Sequence, residues 1–141
     1  MKHKLIPEGF DSLKSATNKI LSLNEERMKL FLYYLSESFK TQAISDEKKG
    51  YFKLCSLGLK LSKTLYSAEY CLPQEDEDKK LSEFSSEISY LRYDSIHEIF
   101  CQLKRNATDS ESWSFLRNFN DSLESIIQIT KKMDELSNKH Y

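Results

Sequence analysis

The chain has 141 residues, with 21 Lys and Arg set against 22 Asp and Glu, a formal net charge of −1. That balance excludes a strongly basic nucleic-acid packager and an acidic tail protein. Apolar residues at 39% and aromatics at 12% exclude a disordered chain and suit one folded domain spanning 1–141.

There is no Val, and only three Gly and two Pro stand against 19 Leu. Strands favour β-branched residues, and the turns between them need Gly, Asn and Pro. The composition therefore predicts an all-α protein, an antiparallel up-down helical bundle of four to five long helices. Residues 1–7 read as a flexible N-terminal tail, and 138–141 as a frayed C-terminus.

The first segment covers about 8–44. Phe10, Leu13, Thr17 and Ile20 recur at helical spacing, and Met28, Phe31, Leu35 and Phe39 continue the pattern. Ser22-Leu-Asn-Glu25 has the form of a capping box and predicts a break near 22–24. The second segment starts at Ser45-Asp-Glu and runs to about Cys71, where Pro73 stops it. Its stripe is Leu54, Leu57, Leu61, Leu65, Ala68 and Leu72. Phe52, Cys55, Leu59, Tyr66 and Tyr70 widen that stripe toward several neighbours.

The third segment opens on Glu75-Asp-Glu-Asp78, acids that complement a helix N-terminus, and reads as one helix to about Asn106. Leu81, Phe84, Ile88, Leu91, Ile99 and Leu103 form its stripe. Thr108-Asp-Ser-Glu111 reads as a second capping box. The last segment follows to about Ser137, with Leu116, Phe119, Leu123, Ile126, Thr130 and Met133 inward.

On the second segment Lys49, Lys53, Lys60 and Lys63 share the face opposite the stripe; Glu83, Glu87, Asp94 and Glu98 share one on the third. These are expected to be solvated outer faces, and the lysines are a weak candidate nucleic-acid surface. Phosphate recognition favours Arg, and the chain has four. Arg92 is out of place, because a continuous helix puts it within the apolar stripe.

Little chemistry is assembled. There is no Gly-rich phosphate loop, no GxSxG and no CxxC. The three cysteines point to a reducing, cytoplasmic setting with free thiols, and Cys55 reads as an inert core thiol. Asp94-x-x-His97 is half of a di-metal pattern whose second half is missing, so neither a metal nor another cofactor is expected. Without a long apolar run or a secretory leader, no membrane association is expected.

Arg92-Tyr-Asp-Ser-Ile-His97, followed by Glu98 and Phe100, has the Arg-x4-His form and is similar to the signature of HEPN-type ribonucleases. The resemblance covers about nine residues. It implies a metal-independent ribonuclease working as a dimer, with His97 as acid/base and Arg92 stabilising phosphate charge. Tyr93 departs from the small polar residue common after that Arg.

The leading expectation is a non-catalytic protein that binds another protein or itself, with a homodimer among the options. Adaptor, chaperone, immunity or inhibitor protein and regulatory or accessory subunit all fit. Partner-facing surface is expected around Leu30, Tyr33, Tyr34 and Ile44, because Leu30 and Tyr34 lie off the main stripe.

Overall fold

The computed structural model describes residues 3–66 and 78–140, the side chain of His140 excepted. It is all-α. Seven α-helices occur among the described residues: α1 (Leu13–Leu21), α2 (Glu25–Lys48), α3 (Phe52–Leu65), α4 (Lys79–Ser89), α5 (Tyr93–Arg105), α6 (Trp113–Asn118) and α7 (Asn120–His140). A 3₁₀ turn, Ala107–Asp109, sits between α5 and α6. The bundle is thus more finely divided than four to five long helices; only α2, at 24 residues, and α7, at 21, are long. The ends expected at Cys71 and Pro73, and acids 75–77, lie outside the described residues.

Local chemistry explains most of the boundaries. Ser12 caps α1, its hydroxyl accepting from the Ser15 backbone N–H while the Ser15 hydroxyl accepts from that of Ser12. The break near 22–24 is present, but Asn24 does the capping. Its side chain accepts from the Arg27 N–H at 2.9 Å, whereas the Ser22 hydroxyl turns back to the Lys19 carbonyl. The boundary expected at Ser45 is absent, and α2 runs through it. The helix ends at Gly50, whose φ of +85° is the left-handed conformation glycine adopts without a Cβ penalty. Gly50 N–H donates to the Glu47 carbonyl and Tyr51 N–H to that of Asp46, the paired bonds of a Schellman cap.

The expected third helix is two. The chain breaks over Tyr90–Arg92, and Arg92 has an extended backbone at the start of α5. Breaking a helix frees backbone groups that need partners. The N-terminal segment supplies them: Arg92 N–H donates to the Lys4 carbonyl at 2.8 Å, and His3 Nδ1 donates to the Tyr90 carbonyl at 3.0 Å. Lys4 and Leu91 form a parallel one-residue bridge. Within the segment expected as a flexible tail, His3 and Lys4 are therefore tied to the joint between α4 and α5.

The helices pair in registers that hydrogen bonds reveal. Ser36 meets Ser62, Ala43 meets Gly58 and Glu47 meets Cys55, so α2 and α3 form an antiparallel hairpin. Arg27 pairs with Asp78, the Phe31 carbonyl with Ser85, and Gln42 with the Ser89 carbonyl, so α4 lies parallel to α2. His97 reaches Ile127 and Lys104 pairs with Glu124, so α5 and α7 are antiparallel. One core runs through them. Phe31, Phe39, Leu61, Leu81, Ile88, Ile99, Phe100 and Ile126 are essentially inaccessible, as the helical spacing of the stripes requires.

Among the described residues, no helix is long and apolar enough to cross a membrane.

Candidate functional site

The α2–α3 hairpin has an outer groove of about 420 Å³ lined by Tyr33, Glu37, Lys40, Leu59, Lys63 and Tyr66, with Ser36 and Ser62 at its floor. The two helices approach closely here. A β-carbon at Gly58 would lie 3.1 Å from that of Ala43. The Ser36 hydroxyl donates to the Ser62 carbonyl and the Ser62 hydroxyl to the Ser36 carbonyl, each at 2.8 Å. The floor's polar groups thus satisfy one another and ask nothing of an occupant.

The walls are apolar and partly wet. Leu59 is 43% exposed and Tyr66 39% exposed. The Tyr33 ring lies 6.1 Å from Tyr66 and 5.9 Å from Tyr34. Tyr33 donates its hydroxyl to Glu37 Oε1 at 3.2 Å; burial and then that carboxylate raise its pKa above the ordinary tyrosine value. Neither Lys40 nor Lys63 forms an ion pair with a described residue, so with Glu37 the lining carries two positive charges and one negative.

This groove gathers only part of the expected surface. Tyr33 and Lys63 line it. Tyr34 is 8% exposed, its hydroxyl accepting from the Asp78 backbone N–H at 3.2 Å, so it is a core residue that anchors the start of α4. Leu30 is half-buried against the core. Leu59, Tyr66 and Phe52, read from the sequence as widening the inward stripe, point outward instead, Phe52 at 68% exposure. The neighbours that would cover that side of α3 are absent among the described residues. Lys40 was missed, although its i+3 spacing from Glu37 places both on one helix face.

Lys49, Lys53, Lys60 and Lys63 are all exposed as expected, but they do not share one helix face: Lys49 caps the end of α2, ahead of the Gly50 turn, and only the other three lie on α3. Lys53 reaches a second groove of about 420 Å³, between α3 and α7, where it joins Lys132, Lys139 and Glu135.

Arg92 and His97 do not converge. Arg92, at the start of α5 and not within its stripe, has its side chain 51% exposed and paired with Asp94 at 3.2 Å. His97, expected on the surface, is half-buried and packed on α7. Its Nδ1 lies 3.0 Å from the Ile127 carbonyl and 3.2 Å from Thr130 Oγ1. Its Nε2 lies 3.6 Å from Cys101 Sγ, a neighbour that i, i+4 spacing on one helix face could have disclosed. Burial, then the Glu98 charge, pushes the Cys101 thiol up, so it is not an activated nucleophile. Among the described residues no three His, Cys, Asp or Glu side chains converge as a metal centre would need.

Comparison of the chain with protein-family models, with curated proteins and with solved structures finds no match.

Proposed function

We propose that this protein works by binding another protein, and that the α2–α3 groove takes one amphipathic helix of that partner, carrying apolar residues flanked by carboxylates. The observation that carries the reading is the exposed pairing of Leu59 and Tyr66 beside Tyr33, above a floor whose hydroxyls are already spent on each other. Apolar side chains entering the groove would shed water without stranding a polar group. Partly exposed aromatics are common anchors of such contacts. Lys40 and Lys63 on the rim complement acidic flanks and would speed encounter. The division of labour is simple: rings and Leu59 supply affinity, and lysines supply orientation.

Photo-crosslinking in the native host tests this. A photoreactive residue at Leu59 is expected to give a discrete protein adduct. Tyr66→Asp should abolish the adduct, and Lys40→Glu with Lys63→Glu should weaken it. An adduct that survives Tyr66→Asp, or that forms equally from exposed Thr108, overturns the assignment. So does an adduct with only a second copy of this chain or only nucleic acid. Metal-independent RNA cleavage by the purified chain that His97→Ala abolishes would replace it with the ribonuclease reading.

A further inference from the structure

The α2–α3 groove is one end of a longer surface. Among the described residues the exposed large apolar side chains are Leu5 and Ile6 on the N-terminal segment, and Ile44, Phe52, Leu59 and Tyr66, all on this hairpin. Phe52, Leu59 and Tyr66 recur at every seventh residue along α3 and its cap. Seven residues fall about 20° short of two full turns, so the row drifts around the helix as it runs. The drift is toward α2: Tyr66 meets the Tyr33 ring there, and exposure falls along the row from 68% to 43% to 39%. On α2, Ile44 comes three turns after Tyr33 and returns to its side of the helix, 47% exposed. Charge divides along the same row. α3 carries Lys53, Lys60 and Lys63 and no carboxylate, and at about 100° per residue all three lie on the side of the row turned away from α2. None of them forms an ion pair with a described residue.

Building on the groove's assignment to a partner helix, we propose that this helix runs the full length of α3. It has about 15 residues or more, apolar side chains at seven-residue intervals, and its carboxylates gathered on the flank facing Lys53, Lys60 and Lys63. Phe52 is then a third anchor beyond the groove. The spacing selects a helix. Anchors seven residues apart on α3 recur every 10.5 Å or so, about 21 Å from Phe52 to Tyr66. A second helix whose apolar positions repeat every seven residues keeps step with them. An extended strand presents one face roughly every 6.6 Å, a period already out of step at the second anchor. The charge selects an acidic partner over a second copy. Another α3 laid on this one brings three more lysines and no carboxylate, and like charges set against each other oppose docking.

Photo-crosslinking with the attachment points mapped residue by residue tests the seam. A benzophenone side chain replaces Phe52, Leu59 or Tyr66, one at a time, in the full-length chain in the native host. All three are expected to join one segment of the same partner, at points about seven residues apart from one to the next, with carboxylates along one flank of that segment. Phe52 is exposed, so Phe52→Ser leaves the core intact; it should cut the Leu59 adduct roughly tenfold, the loss that removing one aromatic anchor brings. Lys53→Glu with Lys60→Glu should also reduce it. An adduct from Leu59 with none from Phe52, or one unmoved by Phe52→Ser, confines the partner to the groove and overturns the extension alone. Attachment points two residues apart, or scattered over several segments, overturn the helix, and an adduct with only a second copy overturns the acidic partner. No adduct from any of the three positions overturns the groove assignment and the extension together.

Discussion

The seams between α2 and α3 and between α5 and α7 are both antiparallel and both bury polar side chains, yet their polar groups end differently. At the first, Ser36 and Ser62 exchange hydrogen bonds with each other's carbonyls, and Gly58 lets Ala43 close the gap. At the second, His97 joins α7 through one nitrogen, while the other meets the Cys101 thiol of its own helix. A polar group whose bonding capacity is consumed inside the seam holds the fold together.

The comparison can be broken most forcefully at Gly58. Gly58→Leu drives a side chain into Ala43, whose β-carbon would lie 3.1 Å from the new one. It should cost about 1–3 kcal/mol or more by overpacking, read as a lower urea midpoint; a variant as stable as the parent would mean that the seam is loose. The serine pair gives the next largest effect. Ser36→Ala and Ser62→Ala should each cost about 0.5–1.5 kcal/mol. Because the hydroxyls also lie 3.0 Å apart, the double variant should depart from additivity by at least about 0.5 kcal/mol. Strict additivity would show that the two hydroxyls act separately. The smallest effect is expected on the other seam. Thr130→Val should cost less than about 1 kcal/mol, since the hydroxyl proton only returns to its own helix and His97 Nδ1, which loses Thr130 Oγ1, keeps the Ile127 carbonyl. A loss exceeding that of Ser36→Ala would erase the distinction.

The candidate residues were unevenly legible. Leu59 and Tyr66 were visible as surplus apolar residues on the second segment, but their spacing could not say whether a neighbour covered them. Tyr34 shows the converse: off the main stripe by helical angle, it is buried because α4 arrives from far along the chain to meet its hydroxyl. The Gly50 cap was within reach of the sequence, because a glycine after Lys48-Lys49 is an ordinary C-terminal signal; the Ser45-Asp-Glu start signal competed with it and lost. Cys101 was equally readable at i+4 from His97, whereas the carbonyl that meets the other ring nitrogen comes from α7 and was not.

By itself the sequence determined the helical class, most of the inward stripes and the exposure of the lysines, since each follows from composition or from the 3.6-residue repeat. Tertiary structure alone decided the break at Tyr90–Arg92, where neither proline nor glycine stands. An interrupted helix is stable only where its freed backbone groups find new partners, and here those partners, His3 and Lys4, come from the opposite end of the sequence.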